Sequence, residues 1–196
     1  MRRAPQQDRS IRRVTAFLDA AEALFAEMGF EAATMTAIAE RAGSSIGALY
    51  SYFPDKKTIA LALADTYAGQ IKEYWRGIFE EIEAYGSREF SERFIDRFLD
   101  FIAAHPAYLQ LQAAPIRLRK SGAARRAFRA PVIEALRRRV PALSQEASAL
   151  RVEVMLQIVQ GMARIYNDAE PSARAGVIRE FKTALASYLS TVFDEV

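Results

Sequence analysis

Between Ile11 and Met28 the apolar side chains fall at Ile11, Val14, Leu18, Ala21, Phe25 and Met28, separated by 3, 4, 3, 4 and 3 residues. Only an α-helix carries such positions onto one face, because about 3.6 residues complete a turn. The same period recurs along the chain. Ile59, Leu63, Tyr67, Ile71, Trp75, Ile78 and Ile82 mark a long fourth helix, and Phe90, Phe94, Phe98, Phe101 and Ile102 a fifth. No segment alternates apolar and polar residues with a period of two, and neither Asn-Gly nor Asp-Gly occurs, so hairpin signals are missing. The expectation is an all-α fold of about nine helices.

Helix punctuation agrees. Ser10, Thr34, Ser45, Asp55 and Ser144 stand where a short polar side chain can cap a helix start. Gly29 and Gly43 stand where a left-handed residue can end one. Pro171 suits the first turn of a ninth helix ending near Phe193. The fourth helix is expected to run on to Tyr85-Gly86-Ser87. Residues 1–53 then hold an N-terminal arm and three short helices, enough for a small core. Residues 54–196 hold longer helices with wide aromatic faces, and the fourth helix bridges the two parts.

What such a chain can do is narrowed by what it lacks. Cysteine is absent, which removes disulfides, cysteine-held zinc, iron–sulfur clusters and thiol catalysis. His105 is the only histidine and no Glu-x-x-His occurs, so a di-iron bundle is excluded too. No cofactor, no metal and no enzymatic activity are expected. The longest uninterrupted apolar run, Ile59 to Ala64, is six residues, against about 18 for a membrane span. Arg2 and Arg3 are followed by Ala-Pro-Gln-Gln-Asp-Arg-Ser rather than an apolar stretch. No membrane partner and no export signal are therefore read, and a cytoplasmic protein is expected. The 27 basic against 24 acidic residues leave only +3, so the placement of charge matters more than its sum.

The most informative stretch is Thr34 to Lys57, a short helix, a glycine-containing turn and a second short helix. That layout is a helix-turn-helix, whose second helix enters the DNA major groove. Ala39 and Ala42 are small where two helices must approach, and Leu49 points to the core. Ser44, Ser45, Ile46, Gly47, Ala48, Tyr50 and Ser51 lie on or near the exposed side. The stretch resembles the N-terminal domain of the tetracycline-repressor (TetR) family of transcriptional regulators. The resemblance begins at Ala20-Ala21-Glu22-Ala23-Leu24-Phe25-Ala26-Glu27-Met28-Gly29-Phe30. It continues through Thr34, Ile38-Ala39, Ala42-Gly43, Ser45, Gly47, Leu49-Tyr50, Tyr52-Phe53 and Lys56, in order and at family spacing. Ser44, where a small apolar residue is usual, and Lys57, where an acidic one is common, depart from the pattern.

The resemblance implies a dimeric, one-component DNA-binding regulator, a repressor released from a pseudo-palindromic operator by a small, largely apolar ligand. It implies phosphate contacts by Thr34, Ser45, Tyr50 and Lys56, with Tyr52 in the same motif. Ser44, Ile46, Gly47 and Ala48 would face base edges, where small side chains favour thymine-methyl and shape readout over hydrogen bonding. Arg2, Arg3, Arg9, Arg12 and Arg13, in the N-terminal arm, could track the backbone. The alternative is a basic helical architectural or adaptor protein without operator specificity.

The C-terminal part supplies two further expectations. Trp75, Phe98, Phe101, His105, Tyr108, Met155, Met162 and Tyr166 belong to an aromatic- and methionine-rich set that could line an apolar effector cavity. Ile158 on the eighth helix, with Phe181, Leu185, Tyr188, Leu189 and Val192 on the ninth, mark apolar stripes. The resemblance makes these a two-fold four-helix dimer interface. Residues 117–139 carry nine arginines and lysines against Glu134. They are read as a solvated face balanced by acidic neighbours rather than a second nucleic-acid patch.

Overall fold

The computed structural model describes residues 5–114 and 122–193, with the side chains of residues 5–7, 72 and 122–128 excepted. Ten α-helices follow one another: α1 (Pro5–Ala32), α2 (Met35–Arg41), α3 (Ile46–Tyr50), α4 (Lys56–Tyr74), α5 (Arg76–Glu80), α6 (Ser87–Ala104), α7 (Tyr108–Ala113), α8 (Gly122–Arg139), α9 (Gln145–Asp168) and α10 (Arg174–Phe193). One 3₁₀ turn, Ile82–Ala84, follows α5, and no strand occurs among the described residues.

Three helix boundaries differ from expectation. The first helix begins at Pro5 rather than at a Ser10 cap, and Ser10 lies inside it. Proline has no N–H to lose at a first helical position. Pro171 sits in the turn before α10 rather than in its first turn. The expected long fourth helix is broken into α4, α5 and the 3₁₀ turn. At the break Arg97 donates through Nε to the Tyr74 carbonyl (2.8 Å), and its second nitrogen reaches the same oxygen. Its guanidinium lies 4.4 Å from the Tyr74 ring centre. Gly77 adds backbone freedom just beyond.

The chain divides into two compact units. The first holds the residues up to Gly69 together with the stretch from Ile102 through α7. Its core joins Phe17, Ala21, Leu24 and Phe25 of α1 to Ile38 and Ala39 of α2, Leu49 of α3, Ile59 and Leu63 of α4, and Leu111 of α7, all buried. Tyr67 ties this unit laterally: its hydroxyl donates to Glu22 Oε1 at 2.6 Å. Its ring meets His105 edge-on at 5.0 Å.

The second unit holds Gln70–Phe101 and the described residues from 122 onward. Its core is aromatic. Trp75 lies 4.4 Å from Phe94, Phe90 stacks on Phe94 at 5.6 Å, and Phe193 closes edge-on over Phe90 at 6.0 Å. Such pairs contribute about 0.5–1.5 kcal/mol each beyond area burial. The arginines of α8 serve this unit. Arg138 donates to the Phe79 carbonyl (2.9 Å) and to Glu83, and Arg139 to the Glu83 carbonyl (3.2 Å). Arg129 pairs with Glu153 at 2.5 Å. Arg117, Arg119 and Lys120 lie outside the described residues, as do the side chains of Arg125 and Arg126.

Candidate nucleic-acid interface

The helix-turn-helix is built from local hydrogen bonds. Thr34 is extended at φ −119°, ψ 156°, and its Oγ1 accepts from the Ala37 N–H at 3.1 Å, so it caps α2. Gly43 takes φ 61°, the left-handed conformation that lets α2 stop and the chain reverse. Its N–H donates to the Glu40 carbonyl and that of Ser44 to the Ala39 carbonyl. Ser45 then caps α3, its Oγ accepting from the Ala48 N–H at 3.2 Å. Leu49, fully buried, anchors α3 to the core.

With Leu49 turned inward, Ser45, Ile46, Gly47 and Tyr50 stand outward; Ile46 is 40% and Tyr50 52% exposed. A side chain added at Gly47 would meet open space. Ser44 and Ala48 are half-buried beside them. The outer face of α3 thus presents small side chains beside Ile46 and Tyr50, on a helix capped by Ser45. The five residues from Gly43 to Gly47 also match the Gly-x-Ser-x-Gly spacing of a hydrolase nucleophile elbow. That reading fails on structure: a helix precedes the turn instead of a strand, and the Ser45 oxygen serves as a helix cap.

Two motif residues also make contacts within the fold. Tyr52 is half-buried, its ring 5.8 Å from Phe17, where it covers the core. Lys56 donates from Nζ to the carbonyls of Glu31 (2.9 Å) and Ala33 (2.7 Å), and lies 4.5 Å from the centre of the Phe30 ring. The next residue, Lys57, is exposed. Asp55 caps α4, accepting from the Thr58 N–H (2.6 Å) and hydroxyl (2.8 Å). Those bonds, that of the Thr58 N–H first, hold its carboxyl below the usual aspartate range. Arg9, Arg12 and Arg13 are exposed on the opening turns of α1 and so are helical rather than part of a loose arm. Arg2 and Arg3 lie outside the described residues.

The effector candidates are distributed between the units. His105 and Tyr108 belong to the first, half-buried, and burial pushes the Tyr108 hydroxyl up to about 12. Trp75, Phe98, Phe101, Met155 and Met162 are buried in the second, and Tyr166 is half-buried there under Arg174. An apolar cavity in the second unit, lined by Phe90, Leu136, Met155, Leu189 and Phe193 among others, measures about 10 Å³, room for one water. Of the effector candidates, Met155 alone lines that cavity.

The dimer candidates also separate by burial. Leu185, Leu189 and Val192 are fully buried in the second unit's own core, which leaves them no surface for a second copy. Ile158, Phe181 and Tyr188 are half-buried. The outer line of α9 runs through Leu150 (66% exposed), Val154, Ile158 and Ile165 (49% exposed), of which the sequence pointed to Ile158 alone. Its spacings of 4, 4 and 7 residues, which keep one helical face, were the available signal. Among the described residues no helix is long and apolar enough to cross a membrane.

Two family models match the chain. One, for bacterial regulatory proteins of the tetR family, covers residues 17–63. The other, for a tetracyclin repressor-like C-terminal domain, covers residues 88–189. The HTH-type transcriptional repressor AcnR of Corynebacterium glutamicum is 36% identical over 77 residues, which is 35% of this chain and 41% of that protein. The match thus spans about two fifths of the curated relative's length. A TetR-family transcriptional regulator from Streptomyces coelicolor superposes with a TM-score of 0.65 at 22% identity, covering 92% of this chain and 99% of the other. A SmeT–triclosan complex superposes at 0.66 and 19% identity, covering 92% and 91%. At these identities the structural likeness speaks for the fold.

Proposed function

The chain belongs to the TetR family of bacterial regulatory proteins, and on that premise we propose that it is a dimeric one-component transcriptional repressor that binds a pseudo-palindromic DNA operator and leaves it when a small apolar effector binds. The observation that carries the reading is α3: a capped helix anchored by Leu49, with Ser45, Ile46, Gly47 and Tyr50 outward. Residues 1–53 form the DNA-reading part and 54–196 the effector and dimer part. Ile46 and the Ala48 methyl suit thymine methyls, while Thr34, Ser45, Tyr50 and Lys57 suit phosphates. Work on DNA places the protein in the cytoplasm.

A second copy docks on α9 and α10 through Leu150, Val154, Ile158, Ile165, Phe181 and Tyr188, which brings two reading heads to two half-sites. The effector enters the second unit near Trp75, Phe98, Phe101, Met155 and Met162. A site formed on binding is consistent with the one-water cavity there. The effector releases DNA only by binding better to the conformation that fits the operator worse. That a protein of the same fold, SmeT, forms a complex with triclosan supports a small-molecule effector.

The test is selection of genomic fragments by the purified protein, with the winners retested at low and physiological salt. A repressor recovers a short inverted repeat that survives physiological salt. Recovery of unrelated fragments, all lost as salt rises, would give the chain to the architectural class instead.

A further inference from the structure

Resting on the DNA-reading role of α3, we propose that Arg9, Arg12 and Arg13 of α1 form a further DNA contact, taking backbone phosphates along the edge of the groove that α3 enters. The family match begins at residue 17, beyond all three. Residues 1–18 hold five arginines against one acidic residue, Asp8. Arg9, Arg12 and Arg13 stand at i, i+3 and i+4 of a continuous helix, so they share one face. All three are exposed, and among the described residues none of them forms an ion pair. Like charges at these spacings weaken a helix, and cations near its N-terminus oppose the macrodipole. The fold thus bears the cluster without drawing a contact from it, a local conflict of the kind that marks binding residues.

The helix period gives the face its direction. Five turns take about 18 residues, so Arg9 lies on the same line of α1 as Glu27. Glu27 accepts from Arg41, the last residue of α2, at 2.5 Å. The arginine face is therefore the side of α1 against which the helix-turn-helix packs. Arg13 stands one turn before Phe17, whose ring lies 5.8 Å from that of Tyr52, two residues past the end of α3. At about 1.5 Å per residue, Arg13 and Arg9 lie roughly 6 and 12 Å along α1 from that contact. A major groove is about 12 Å wide, so groups offset this far from the end of α3 reach the phosphates that border it. Guanidinium groups fit phosphate oxygens with paired N–H bonds and carry no base preference, so this contact adds affinity rather than sequence readout.

Salt dependence and position on the DNA test the contact separately. Arg9→Gln, Arg12→Gln and Arg13→Gln are combined in the full chain and assayed on the selected duplex. The slope of log affinity against log salt is expected to fall by about 2.7 per protomer, with the melting temperature unchanged. Arg88→Gln, an equally exposed arginine on α6 of the second unit, controls for loss of charge alone and should leave the slope as it is. The chain has no cysteine, so Arg12→Cys offers a single thiol for a tethered iron–EDTA group. Cleavage is expected in two clusters on the backbone, one for each half-site. A slope that falls by less than about 0.9 per protomer, a fall matched by Arg88→Gln, or cleavage scattered along the duplex overturns the proposal. If wild-type protein selects no duplex, the repressor reading fails by itself. The slopes of the same variants on an arbitrary duplex at low salt then decide the arginine contact alone.

Discussion

Tyr50 stands half out of the surface of α3, so its hydroxyl can serve DNA without cost to the core. Tyr50→Phe is expected to weaken operator binding by about fivefold per protomer, the worth of one hydrogen bond near 1 kcal/mol, with the melting temperature unmoved. Titration of labelled duplex and a thermal melt check both halves. Unaltered binding would remove Tyr50 from the interface. Tyr67 is the opposite case. Burial, and then its bond to the Glu22 carboxylate, raise its hydroxyl well above the ordinary tyrosine value. Its folded pKa exceeds its unfolded one, so its stabilisation is fully present below about pH 10 and is lost as pH rises further. Denaturation of wild type should therefore steepen above about pH 10, and Tyr67→Phe should flatten that fall. Equal curves for the two proteins would contradict this. The roles of Thr34 and Ser45 as caps were legible in the sequence because a cap reaches only three residues. Lys56 was not, because its carbonyl partners lie 25 and 23 positions away and meet it only in the folded chain.

Elements were readable where their signals are local. The period in α1, α6 and α9, and caps such as Ser144, whose Oγ accepts from the Ala147 N–H, mark helices that the structure contains. The break after Tyr74 was not readable, since apolar spacing continues through it and the donor to its carbonyl, Arg97, comes from α6. Gly29 shows the strongest local demand. Its φ 78°, ψ 167° belongs to a region open essentially to glycine alone. Gly29→Ala is expected to cost about 1–3 kcal/mol, lowering the melting temperature by roughly 2–12 °C. Calorimetry showing no shift would mean that the turn tolerates a side chain and that the α1–α2 link is looser than described.

For the molecule as a whole, periodicity revealed that the last two helices carry apolar stripes but not which stripe turns outward. Leu185, Leu189 and Val192 fill the chain's own core, whereas Leu150 and Ile165 remain exposed. Leu150→Glu with Ile165→Glu should therefore spare the protomer and weaken the dimer by about 100-fold or more, as two charges forced into an apolar contact must. Sedimentation should show the monomer at concentrations where wild type is paired, with circular dichroism unchanged. A dimer of undiminished strength would move the interface elsewhere.

The central claim is that two copies of α3 read two halves of one site. A hydroxyl-radical footprint of the selected fragment, with the mass of the complex measured in parallel, tests it most directly. The account predicts two protected patches related by a two-fold axis, their centres about one helical turn or a multiple of it apart, and an even number of chains on the DNA. Uniform protection along the fragment, with chains adding one by one, would contradict it.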